Sequence, residues 1–146
     1  MNIQDNSTNT CTVEVKHTFN HSAVILWQAW TQPELAAQFL FKTGHGKMKL
    51  VEIEARLNGL FKIVEERKGI DAEHHGRYLT WQPAESLSFV FGPNLENTTK
   101  VTRSFQEQNE GCLLTLCHEG VWPDFEERVR ASWKQALERL EVALEK

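Results

Sequence analysis

No apolar run in the chain approaches the ~20 residues that a membrane-spanning helix requires, so no membrane span is expected. Cysteine is scarce: Cys11, Cys112 and Cys117 form an odd set without a C-x-x-C spacing. That argues against a disulfide framework or a zinc ribbon and for reduced thiols in a cytoplasmic protein. Cys112 and Cys117 are five residues apart and would face opposite sides of one strand. Basic charge is also thin, with 16 Lys and Arg against 20 Asp and Glu for a net charge of −4. The cations are scattered singly, whereas a nucleic-acid surface needs a concentrated basic face, so no nucleic-acid partner is expected. There is no G-x-S-x-G, no H-E-x-x-H and no phosphate loop, so the sequence proposes no nucleophile, metal or cofactor. The opening MNIQDNSTNTCTVEV lacks a basic segment followed by an apolar one, and no secretion signal is expected. Residues 1–10 read as a frayed tail ahead of one domain over 11–146. A domain of this size can bury roughly 68% of its unfolded surface and needs no staple.

What is present is a succession of periodicities. Val13, Val15, His17 and Phe19 alternate with polar residues, which is a half-buried strand. SAVILWQAW breaks the alternation and predicts a short helix capped by Ser22. Thr31 and Glu34 around Pro33 resemble a capping box and predict a second short helix ending near Leu40. Six strand-like runs follow: KMKLVEIEA, LFKIVEE, HGRYLTWQ, SLSFVF, TKVTRSF and CLLTLCHE. Asn58-Gly59, Pro83, Gly92-Pro93-Asn94 and Asn109-Glu110-Gly111 punctuate them. The chain closes with a helix from Asp124, whose D-x-x-E start follows Pro123. Its Phe125, Val129, Trp133, Leu137, Leu140 and Leu144 make one apolar stripe, opposite Arg128, Lys134, Glu138 and Glu145. An apolar stripe about six turns long needs a large partner, and a curved antiparallel sheet of the seven strands is the one available.

One strand, two short helices, six antiparallel strands and a long C-terminal helix make an α+β helix-grip (Bet v 1-like) order. VKHTFNHSAVILWQAWTQPELAAQFL resembles the opening of the family named for activators of the Hsp90 ATPase, within the START-like (SRPBCC) superfamily. The matched pieces are the Trp27-x-Ala29-x-Thr31-x-Pro33-Glu34 series and the helix of Leu35 to Leu40, with Phe39 where the family often carries tryptophan. RLNGLFKI is similar to the family's Gly-Gly strand start, with Asn58 in place of the first glycine. Asn can adopt the positive φ required there. GRYLTWQPAESLSFVF, LTLCHEG and SWKQALERL resemble the middle strands and the closing helix, so the resemblance runs from Val13 to Leu144. It implies the seven-stranded sheet wrapped around the final helix. For function it implies several alternatives, because the superfamily uses one scaffold for lipid binding, hydrophobic-ligand transport, cyclisation and chaperone contacts.

Strand alternation nominates the residues that could line a cavity between sheet and helix. They are Phe61 and Ile63; Leu87, Phe89 and Phe91; Val101, Arg103 and Phe105; Leu114, Leu116 and His118; and Trp133 and Leu137 from the helix. The strand aliphatics read as core in the first instance. Such a cavity would take a small apolar or aromatic molecule. A hairpin centred near Asn109-Glu110 places Val101 by His118 and Arg103 by Leu116, so Arg103 and His118 become diagonal neighbours. Arg103 could bind a carboxylate or phenolate, or pair internally with Glu52 or Glu65, or reach solvent. His118 is a candidate acid or base, and Tyr78, the one tyrosine, a candidate orienting hydroxyl. In DAEHHGRYLTWQP the consecutive His74 and His75 fall on opposite faces, which is wrong for joint chelation, and read as a solvated strand entrance. Gly76 marks a bend, with Tyr78 and Thr80 on one face and Leu79 and Trp81 on the other. Three functions follow: binding of a small hydrophobic or aromatic ligand; a cyclase- or hydratase-type enzyme using Arg103, His118 or Tyr78; or contact with an Hsp90-type chaperone. A monomer and a homodimer are equally compatible with the sequence.

Overall fold

The computed structural model describes residues 9–145; the expected tail lies almost wholly outside them. The elements are β1 (Cys11–Phe19), α1 (Ala23–Thr31), α2 (Pro33–Ala36), β2 (Lys47–Ile53), β3 (Leu60–Arg67) and β4 (Ile70–Gln82). Then come β5 (Ser86–Asn94), β6 (Asn97–Gln108), β7 (Gly111–Val121), a 3₁₀ turn at Pro123–Phe125 and α3 (Glu126–Leu144). The seven strands form one antiparallel sheet in the order β1-β7-β6-β5-β4-β3-β2, as the helix-grip reading requires. Only β1 leaves sequence order, joining β7 and bringing α1 and α2 to the end of the sheet. Register breaks in β1–β7, β2–β3, β4–β5 and β5–β6 add bulges that bend and twist the strands.

Helix α3 supplies Trp133, Ala136, Leu137 and Leu140 to the core. Its polar face is the one expected, since Arg128, Lys134, Glu138 and Glu145 are exposed. Glu141 bonds His17 of β1 at 2.5 Å, and Arg130 reaches the Glu14 carbonyl at 3.0 Å, tying helix to sheet edge. The β6–β7 hairpin turns at Asn109-Glu110 and sets Val101 opposite His118 and Arg103 opposite Leu116, the register inferred from the sequence. Asn58 adopts φ 64°, as expected. Cys112 is buried, Cys117 is half-buried, and all three thiols are free.

Four local expectations are corrected. Thr31 does not cap α2: its hydroxyl donates to the Trp27 carbonyl at 2.9 Å, one turn back within α1. The N-cap is Gln32, without a side-chain bond, and α2 stops at Ala36 rather than Leu40. At the other end, Asp124 falls in the 3₁₀ turn, and the N-cap of α3 is Phe125. Most consequential is a bulge in β4 between Tyr78 and Thr80. It restarts the alternation, so Trp81 pairs with Leu87 and turns inward, 5.0 Å from the Tyr78 ring and 4.9 Å from Trp27. Trp81 is therefore on the Tyr78 face, and Leu79 alone is left exposed.

Gly76 also does more than bend its strand. A side chain there would overlap the outer end of the Phe61 ring, which reaches over the glycine from the neighbouring strand. That close approach lets Phe61 meet both Tyr78 and Phe89, at 5.4 and 5.2 Å between ring centroids.

Candidate functional site

Between the first half of α3, the loop after α2 and the inner face of β4, β5 and β7 lies a cavity of about 270 Å³. Its walls are aromatic: Phe41 from the loop, Phe91 from β5 and Trp133 from α3. His74 and His118 add two imidazoles, while Lys42, Arg67 and Arg128 stand at the rim and no acidic residue lines it. Larger depressions exist, including one of about 630 Å³ beside the Gln108–Gly111 turn, but that one is walled mainly by polar turn residues. The smaller cavity is where the chemistry collects.

His118 is held at both ring nitrogens. The Trp133 Nε1–H, which can only donate, gives its proton to His118 Nδ1 at 3.0 Å. The neutral ring therefore carries its hydrogen on Nε2, which donates to Thr99 Oγ1 at 2.7 Å. Burial pushes the His118 pKa down to about 4, and a proton on Nδ1 would also break the tryptophan bond. His74 is likewise pushed down to about 4, first by burial and then by the charge of Arg67. Both imidazoles are neutral at pH 7.

Phe41 organises this space. Its ring stacks on His74 (4.4 Å, 5° between planes) and lies 4.7 Å from Phe91 and 6.0 Å from Trp133. Its backbone is left-handed, φ 55°, a conformation bulky residues rarely adopt. Buried Glu65 on β3 fixes the loop that imposes it. One carboxylate oxygen accepts from the Thr43 N–H at 2.8 Å and hydroxyl at 3.1 Å, and the other from Arg67 Nε at 2.6 Å. Arg67 in turn donates to the Phe41 carbonyl at 3.2 Å. Burial alone would raise the Glu65 pKa, but these bonds outweigh it and hold the carboxyl below its ordinary value. Gly46 passes so close over the same carboxylate that a side chain there would collide with it.

The structure thus divides the nominated residues. Phe91, His118 and Trp133 line the cavity. Phe61, Ile63, Tyr78, Phe89, Val101, Leu116 and Leu137 are buried behind its walls, with Leu87, Phe105 and Leu114. Arg103 lies among them, fully buried, and meets none of the internal partners considered for it. Glu65 is taken by Arg67 and Thr43, Glu52 is exposed, and Arg103 does not reach solvent. Its guanidinium carbon instead sits 3.6 Å from the Trp30 ring centroid and 4.6 Å from that of Phe89. Nor do Arg103 and His118 bond one another; the histidine's bonds go to Thr99 and Trp133.

His74, Phe41, Arg67 and Arg128 were not nominated by the sequence. His74 had a signal available, since it shares strand parity with Gly76 and the inward Tyr78. It is a half-buried cavity residue rather than a solvated entrance, whereas His75 bonds exposed Glu73 at 2.9 Å. Phe41 had none, because its position depends on a loop backbone held by distant Glu65. Among the described residues no group of three or more metal-ligating side chains gathers, and no helix is long and apolar enough to cross a membrane.

Comparison with solved structures places this architecture among known ones. A protein of unknown function from Staphylococcus aureus is similar, with TM-score 0.82, 16% identity and coverage of 94% of this chain and 96% of that one. A protein described as AHSA1-like from Aeromonas hydrophila has TM-score 0.81 and 14% identity, covering 92% of each chain. A Chromobacterium violaceum protein has TM-score 0.81 and 22% identity, covering 90% of this chain and 96% of that one. At these identities the likeness is one of fold. No curated protein matches the sequence. The model of the family described as "Activator of Hsp90 ATPase homolog 1-like protein" matches residues 20–145, and with its strand order, bulged sheet and closing helix the chain belongs to that family.

Proposed function

We propose that the protein binds one small apolar or aromatic molecule in the cavity beneath the first half of α3. The observation that carries this reading is a half-open cavity of about 270 Å³ lined by Phe41, Phe91 and Trp133, with two neutral imidazoles in the wall. That volume is just below the ~300 Å³ at which pockets for drug-sized ligands begin, so it suits a molecule of one ring rather than several. Apolar walls supply affinity by burial, and fixed imidazole nitrogens supply orientation.

Binding is favoured over catalysis by the same histidines. A general base works best with a pKa near the operating pH, and imidazoles at about 4 are weak bases at pH 7. Tyr78 is buried behind the wall, with its hydroxyl pKa pushed up to about 12 by burial. The test is a titration with single-ring fragments, followed by the amide and indole N–H NMR signals. The expected result is movement of Trp133 Nε1–H, Phe91 and His118 while the turn at Gln108–Gly111 stays still. Fragments that move only the turn, or nothing, would remove the cavity from consideration.

A further inference from the structure

Arg103 carries an unanswered charge. Its Nε, Nη1 and Nη2 are buried and have no hydrogen-bond acceptor among the described residues. The Trp30 ring that covers it holds a second buried N–H without an acceptor. Stacking on Trp30 and Phe89 offsets part of the lost hydration, but cation–π contacts recover only a small share of what burying a bare ion costs. Among the described residues no neighbouring group offers an anion: Tyr78 stays neutral at pH 7, and Glu65 is committed elsewhere. A buried cation that the chain leaves without an acceptor calls for one from outside.

The guanidinium is also close to the cavity. Trp30, which covers it, lies 6.2 Å from Trp133; Phe89, its other neighbour, lies 5.9 Å from Phe91 and 6.4 Å from Phe41. One layer of rings separates the cation from the cavity wall. The member of that wall carried by a loop in a left-handed backbone is Phe41, stacked flat on His74. We propose that the ligand is a small aromatic monocarboxylate, whose ring replaces that of Phe41 between His74 and Phe91 and whose carboxylate pairs with Arg103 once the Phe89 ring between them turns aside. This rests on the cavity reading above and names the class of its ligand. Two parallel N–H···O bonds from one guanidinium would satisfy donors that the chain leaves open.

The test compares benzoate and phenylacetate with their neutral counterparts benzamide and benzyl alcohol, and with formate and chloride, by calorimetry at fixed ionic strength. Wild type is expected to bind the aromatic acids about tenfold or more tightly than the neutral compounds. Arg103→Met should abolish that preference while still binding benzyl alcohol, and Arg128→Ala should keep it. Equal binding of acids and neutrals by wild type overturns the carboxylate assignment and leaves the cavity reading standing. So does a preference that survives in Arg103→Met and disappears in Arg128→Ala, which would place the anchor at the rim. Formate or chloride binding as tightly as the aromatic acids, and only when Arg103 is present, would overturn it in favour of a simple anion site. Failure of every aromatic compound to bind overturns both readings. If Arg103→Met does not fold, Arg103→Lys serves, since it keeps the charge but loses the planar fork and should weaken acids selectively.

Discussion

Acid should loosen this protein through its two neutral histidines. An imidazole with an ordinary pKa of 6.5 is pushed down to about 4 at both His74 and His118. Between those pH values the unfolded chain takes up a proton at each position that the folded chain refuses. Stability from this source is therefore complete above pH 6.5 and is lost as pH falls through the interval toward 4. Each pH unit of separation is worth about 1.4 kcal/mol, so each histidine withdraws about 3 kcal/mol by pH 4. The pair could remove about 6 kcal/mol, a large part of the 5–15 kcal/mol that holds a typical domain. Urea unfolding at half-unit steps from pH 8 to 4 measures the slope. His118→Gln supplies the control, because an amide can accept from Trp133 and donate to Thr99 without titrating. That variant should lose about 1.4 kcal/mol per pH unit of slope between pH 6 and 4.5, and His74→Gln a similar amount. A double variant with the wild-type slope would refute the reasoning and assign acid sensitivity to carboxylates alone.

Three further perturbations follow from the loop and the sheet. Glu65→Gln removes the charge that three donors share and should cost about 2–3 kcal/mol in urea unfolding, with raised amide exchange at Thr43 and Gly46. The charge-assisted bonds are the source of that cost, so an unchanged midpoint would show the loop to be held otherwise. Phe41→Gly should be more stable than Phe41→Ala by about 1 kcal/mol, the reverse of the usual order, because only glycine adopts φ 55° freely. Gly76→Ala should destabilise by about 1–3 kcal/mol by driving a methyl into the Phe61 ring, and Phe61→Leu in the same chain should recover part of the loss.

How far the sequence could be read depended on whether a feature was local or built across the chain. The β6–β7 register was legible because a two-residue turn and strict alternation fix each other, and Val101–His118 and Arg103–Leu116 followed. The stripe of α3 was legible for the same reason of period from Val129 to Leu144, whereas Phe125 falls in the turn before the helix and is exposed. Trp81 was not, since the bulge after Tyr78 reverses parity for everything beyond it and no residue type there announces a bulge. Thr31 offered a capping pattern that lost to a bond within its own helix. For Arg103 the sequence leaves three partners open, a ligand anion, an internal acid at Glu52 or Glu65, or solvent, because a buried arginine ordinarily needs one of them. Which acid was free depended on Arg67 and Thr43 reaching Glu65 first, from a strand end and a loop that sequence spacing does not bring together.

Those departures are not spread evenly. Val13, Phe19, Leu26, Leu114, Leu137 and Leu140 make an apolar, buried core. Among the described residues, the buried side-chain atoms without partners are the guanidinium nitrogens of Arg103, Trp30 Nε1, His74 Nδ1 and the hydroxyl of Ser88. Ser88 alternates with Leu87 and Phe89 and so faces the opposite side of the sheet. The others belong to one connected set of rings: Arg103 on Trp30 and Phe89, Phe89 by Phe41, Phe41 on His74, Trp30 by Trp133. The one bulky residue among the inner aromatics with a left-handed backbone, Phe41, is at its centre. A sequence selected only for stability would place apolar residues at positions 74 and 103, as it does elsewhere on the same sheet face. Unpaired donors, two depressed histidines and a left-handed aromatic residue gather in one contiguous volume, and that concentration supports the binding reading proposed above.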